Sequence, residues 1–203
     1  MPRLPDLGNT LLLLGLVAVG LSGVLPIWNG ERVARVESRA VEVAEELHAL
    51  CPAPQDFAAL DAAEWHSLAE QLRARCTGRG QPDSDLPELL DSAEGPRTFG
   101  NRHYLFRILP RPRPLSHLQA EDANPAPLDV YAWPRTLLPP GRSVFCVTQE
   151  GLRNFTRNLV SNYAGLDHGP PAGAAEPRTD TEDPTHSIDN SYRSVTGERW
   201  IRF

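Results

Sequence analysis

Residues able to bind or transform a ligand are scattered along this sequence. The strongest ligand pattern is acidic: Asp180-Thr181-Glu182-Asp183, followed by Asp189-Asn190. Alternating oxygen side chains in a flexible loop suit Ca²⁺, a hard cation that takes about six to eight oxygens. Asp180, Asp183 and Asp189 are the candidate calcium ligands, and no other cofactor is expected. The spacing is not that of an EF-hand and the central glycine is missing, so a solvated acidic loop is the competing reading. Asp83, Asp85, Glu88 and Asp91 form a second acidic stretch open to the same two readings. The six histidines (His48, His66, His103, His117, His168 and His186) show no H-x-x-x-H or H-E-x-x-H spacing. A G-x-S-x-G elbow and a P-loop are also absent from the sequence. These patterns predict no catalytic residue and no zinc site.

The three cysteines, Cys51, Cys76 and Cys146, form no C-x-x-C, and their spacing matches no zinc pattern. Cys51 and Cys76 each fall near the end of a predicted helix, so an exported domain could join them in a disulfide. The alternative is three reduced thiols acting as buried small hydrophobes. Asn154-Phe155-Thr156 is a glycosylation sequon inside a predicted strand.

The elements that must position these residues start with one long stretch. Leu11 to Trp28 is uncharged, with Ser22 its one polar residue. At about 1.5 Å per residue it would span about 27 Å, enough for a bilayer core. A retained single-pass anchor over 9–29 is the leading expectation; a cleaved signal peptide and a buried core helix are the alternatives. Arg3 precedes the run, whereas Arg32, Arg35 and Arg39 follow it. Counting positive charges favours the reverse of export, while the bulky following domain favours a cytoplasmic amino terminus. Pro26 and Gly30 then interrupt the helix. Beyond them Val33, Val36, Ala40, Val43, Leu47 and Leu50 recur at alternating spacings of three and four, a single apolar helical stripe over 30–50. Glu31 and Arg35 form a favourable i,i+4 pair on its polar side. The stripe either seats the helix on the chain's own domain or zips against a partner helix.

Behind this stem, residues 51–203 form the expected extracytoplasmic domain. A helix is predicted from Asp56 or Asp61 to Cys76, stopped by Gly78 and Gly80. Residues 81–96 are a loop with a possible helical turn at 86–93. Alternation predicts strands at 102–109, 128–133, 143–148 and 152–156, the last two a hairpin turned at Gln149-Glu150-Gly151. Residues 163–190, rich in Gly, Pro and Ala, are a long polar loop. Trp200-Ile201-Arg202-Phe203 is a docked terminal strand.

Composition narrows the partners. All twenty cationic residues are arginine, the net charge is −6, and the sequence shows no concentrated basic patch. Nucleic acid is therefore excluded as a partner, because binding it needs clustered cations to displace counterions.

The amino-terminal pattern resembles type IV pilins and the pseudopilins of type II secretion. Gly8-Asn9-Thr10-Leu11-Leu12-Leu13 is similar to their leader junction, and residues 1–8 to their leader. A second resemblance, to pilin-like exported proteins, lies in Val130-Tyr131-Ala132-Trp133-Pro134, Gly141-Arg142-Ser143-Val144-Phe145-Cys146-Val147 and Glu150-Gly151-Leu152-Arg153. The resemblance implies processing between Gly8 and Asn9. It also implies an assembly position at Leu13, where the family carries a glutamate that registers one subunit against the next. Asn9 departs likewise from the family's phenylalanine.

Together these readings predict an α+β protein with a long N-terminal membrane-anchored helix packed on a small antiparallel β-sheet. It would sit in the bacterial inner membrane as a single-pass protein facing the periplasm. Its function would be that of a non-enzymatic minor or accessory subunit, with the membrane and other pilin-like subunits or secretion machinery as partners. The alternative is a single-pass periplasmic binding or sensory module with no filament role.

Overall fold

The computed structural model describes residues 30–90, 97–112, 125–137, 142–178 and 190–203. Helix α1 covers residues 30–49. Its apolar stripe is buried at Val36, Ala40, Val43, Ala44 and Leu47, the face that the three-and-four spacing selects. Cys51-Pro52 ends it, with Leu50 N–H donating to the Glu46 carbonyl at 3.1 Å. A one-turn helix α2, Pro54–Phe57, begins on the proline, whose missing N–H costs nothing there. Helix α3, Ala62–Gly78, starts at a capping box: Asp61 accepts from Glu64 N–H and Glu64 accepts from Asp61 N–H, both at 2.8 Å. Trp65, Leu68, Leu72 and Cys76 form its buried face.

A short 3-10 turn, Asp83–Asp85, leads into eight strands. They are β1 (Glu88–Leu90), β2 (Thr98–Gly100), β3 (Tyr104–Pro110), β4 (Leu128–Pro134), β5 (Val144–Val147), β6 (Arg153–Thr156), β7 (Ser191–Arg193) and β8 (Arg199–Arg202). All pair antiparallel in one sheet, in the order β1-β2-β3-β4-β5-β6-β8-β7. The period of two splits each central strand between two cores. Phe106, Ile108, Val130, Ala132, Phe145 and Val147 face α1 and α3. Leu105, Tyr131, Trp133, Val144 and Cys146 face the other way, against Trp200, Tyr163, Ala174 and Ala175. Strand β4 is therefore buried at all seven positions.

The cover over the second face comes from residues 157–178. Trp133 Nε1 donates to the Gly165 carbonyl at 2.8 Å, and an added Cβ at Gly169 would lie 2.9 Å from the Trp133 ring. The bridges Ala164 to His168 and Pro177 to Ser194 fix the segment. The described part of the expected polar loop, 163–178, is thus packed structure. Its burial rests on a few residues, Tyr163, Ala174 and Ala175, without a periodic signal.

Three expectations are corrected. The fold is not a long helix on a small sheet: eight antiparallel strands dominate it, and α1 is amphipathic and is described over twenty residues. Among the described residues no helix is long and apolar enough to cross a membrane, which leaves the single-pass inner-membrane placement and the membrane and pilin descriptions without support. The expected span, 9–29, lies outside the described residues. The helical turn expected at 86–93 is instead the 3-10 turn followed by β1, because Leu89 and Leu90 pair with Phe99 and Thr98.

Candidate functional site

The described start of α1 carries arginines at positions 32, 35 and 39, a spacing of three and four that sets them on one side of a helix. That side faces the 3-10 turn and the β2–β3 turn. Together Arg32, Arg35, Val36, Arg39, Pro82, Ser84, Asp85, Arg102 and His103 line a cleft of about 340 Å³.

Asn101 builds the wall opposite the helix. It is buried, and its Oδ1 accepts from the backbone N–H of His103 (2.9 Å) and Tyr104 (2.8 Å), fixing the turn that presents Arg102 and His103. Its Nδ2 donates to the Asp85 carbonyl at 3.1 Å, joining that turn to the 3-10 segment. Arg135, just past the end of β4, braces the same turn, with Nη1 on the Asn101 carbonyl at 3.1 Å. Asp85 is 5% exposed, is ion-paired with Arg39 Nη1 and accepts from Ser84 Oγ at 3.2 Å. Arg32, Arg35 and Arg102 make no ion pair with a described residue, so the Glu31–Arg35 pair expected from spacing is not formed. Partial burial holds the His103 imidazole below its usual range. Among the nearby charges Asp85 pulls it up, while Arg102, Arg32 and Arg39 push it down. An imidazole whose protonated form is disfavoured, beside guanidiniums without an ion-pair partner among the described residues, is the electrostatic signature of a site short of negative charge.

A second cluster is closed on itself. Arg111 Nε and Nη2 grip the Asp129 carboxylate at 3.0 and 2.7 Å. The same guanidinium reaches Glu150 at 3.3 and 3.0 Å, and Glu176 lies at 3.9 Å. Those bonds hold the Glu150 carboxyl down at about 2, well below the usual carboxylate range. Burial instead raises Glu176. This node fastens the ends of β3 and β4 to the β5–β6 turn and to the cover, and its donors and acceptors satisfy one another.

The residues singled out in the sequence do not converge. Gly8, Asn9 and Leu13 lie outside the described residues, as do Asp180, Asp183 and Asp189. Among the described residues no group of three His, Cys, Asp and Glu side chains is placed to hold a metal ion. Cys51 and Cys76 are not bonded; all three cysteines are free thiols. Burial first, and carboxylates second, push the Cys51 thiol to about 12 and the Cys76 thiol to about 11, and burial raises Cys146 as well. Asn154 of the sequon is 2% exposed and accepts from the Tyr192 hydroxyl at 3.1 Å, so it is not presented for glycosylation. Asp85 of the second acidic stretch is spent on Arg39.

The arginine cleft is the site that sequence reasoning missed. Arg32, Arg35 and Arg39 entered as topology signals, and Arg102 as the first residue of an expected strand. The helical spacing of the first three was the available signal; their meeting with Arg102 was not. No family model, curated protein or solved structure matches this chain.

Proposed function

We propose that the chain is a non-enzymatic accessory subunit of a secretion- or pilus-type assembly. The observation that supports this is the way α1 is held. Its later turns are seated on the sheet and beside α3, with Ala40, Val43, Ala44 and Leu47 at or near zero exposure. Its first described turns are bare: residues 30–35 are exposed except for half-buried Val33. In the sequence, the apolar run Leu11 to Trp28 precedes these residues. Apolar surface of that size is stabilised by burial, and in this reading neighbouring subunits supply the burial. The test is the intact mass of the mature protein. An amino terminus at Asn9 is expected. An intact Met1, or a terminus between Ser22 and Gly30, would refute the reading.

A second reading, a binding module with no place in an assembly, is favoured by one observation, the unpaired arginines of the cleft beside α1.

A further inference from the structure

We propose that the cleft formed by Arg32, Arg35, Arg39 and Arg102 with His103 is a binding site for a phosphate-bearing anion. The inference goes beyond the assembly reading and does not depend on it.

Four guanidiniums from two separate segments meet one carboxylate in the cleft lining, a local excess of three positive charges on a chain whose net charge is −6. Folding alone does not account for that convergence, since like charges at i,i+3 and i,i+4 on a helix repel. Elsewhere several described arginines find carboxylates: Arg75 and Arg79 share Glu46, Arg153 meets Glu45, and Arg111 holds three acids, while Arg107 and Arg135 bond to neutral oxygens. On α1, Glu31 and Glu42 flank the cleft but do not line it, and Glu42 is engaged by Gln81 Nε2 at 3.4 Å.

The scaffold beneath these charges is fixed. Arg39 is tied to buried Asp85, and Asn101 locks the 101–104 turn onto the same aspartate's backbone. Arg32, Arg35 and Arg102 therefore project from positioned backbone with no ion-pair partner among the described residues. Guanidinium forks match the paired oxygens of phosphate in a bidentate way, which a simple point charge does not. The His103 imidazole, held neutral, adds one donor or acceptor and gains a proton readily once an anion neutralises its neighbours. Val36 and Pro82 are the apolar lining residues, which suits a small polar ligand such as a phosphomonoester or diphosphate group. Such a group is carried by a free metabolite or by a lipid headgroup; the recognition chemistry is the same.

The experiment is calorimetric titration of the full chain with inorganic pyrophosphate, alongside sedimentation with phosphatidylglycerol or phosphatidylcholine vesicles. Saturable pyrophosphate binding is expected, weakened about tenfold or more in R35Q/R102Q by loss of two charge-assisted contacts. R73Q, an exposed change on α3, is the control and should bind as the parent does. Pyrophosphate should also raise the His103 titration midpoint, read by NMR and assigned with H103Q, in the parent but not in R35Q/R102Q. Arginine-dependent binding to phosphatidylglycerol vesicles without pyrophosphate binding assigns the phosphate to a lipid headgroup. No arginine-dependent binding in either arm overturns the proposal, and so does preference for a hexaglutamate peptide over pyrophosphate. Circular dichroism melts of the variants show whether a loss of binding reflects the site or the fold.

Discussion

Replacing Arg111 by methionine would leave the Asp129 carboxylate, 2% exposed, with the Gln149 N–H at 3.4 Å as its remaining hydrogen-bond donor among the described residues. The lost guanidinium supplies two bonds to Asp129 and two to Glu150. Breaking one side of a buried ion pair costs about 3–5 kcal/mol, because the surviving charge keeps its desolvation penalty and loses its partner. At about 2–4 °C per kcal/mol for a domain of this size, the melting temperature should fall by roughly 6–20 °C. Removing both members as R111M/D129L should recover most of that loss, since an apolar pair of similar volume is tolerated where an orphaned charge is not. Glu150 adds a pH signature. Its folded value, about 2, lies below the ordinary 4.5, so its stabilisation is present above 4.5 and lost as the pH falls towards 2. Glu150 is half exposed, which keeps this contribution small. In R111M the corresponding acid dependence should shrink. The assay is differential scanning calorimetry of parent, single and double variants between pH 2 and pH 7. A single variant that melts within about 2 °C of the parent, or a double variant no better than the single, would show that Arg111 does not carry the buried charge.

Three further outcomes follow from other contacts. G169A should destabilise by about 1–3 kcal/mol, because its methyl group meets the Trp133 ring at 2.9 Å; urea unfolding with an unchanged midpoint would contradict that packing. E198A should cost about 1–3 kcal/mol, since Glu198 accepts from Thr156 Oγ1 and from the N–H groups of Val160 and Ser161. Hydrogen exchange at those two amides should accelerate, and unchanged protection would remove Glu198 as the organiser of the segment. The thiols of Cys51 and Cys76, with values near 12 and 11, should react slowly with an aromatic disulfide reagent at pH 8 while the chain is folded and rapidly once it is unfolded, giving three thiols in all. A Cys51–Cys76 peptide in a non-reducing digest would sink this.

The local pattern of the chain is carried by its local chemistry. The stripe Val36, Ala40, Val43 and Leu47 names the buried face of α1, and Cys51-Pro52 its end. Asp61 with Glu64 marks the start of α3, and Gly151, at φ +76°, the turn between β5 and β6. Each depends on contacts a few residues apart, so spacing reveals the stripe and the turn, although it leaves the start of α3 open between Asp56 and Asp61 and the capping box decides it. The three-residue strands β1, β2 and β7 are too short to show a period, and they exist because neighbouring strands offer hydrogen-bond partners. The second core was hidden for a related reason: residues 163–178 contribute Tyr163, Ala174 and Ala175 to it without any repeat.

Charges divide in the same way. Arginines at 32, 35 and 39 lie on one helix side by sequence alone, but Arg39 finds Asp85 across 46 residues and Arg111 finds Glu150 across 39. Sequence by itself determined which residues share a face of a helix or strand, because backbone geometry sets those periods. Only the tertiary structure decided which charges are spent on one another and which remain free, because pairing between distant segments depends on where the sheet and its turns bring them together.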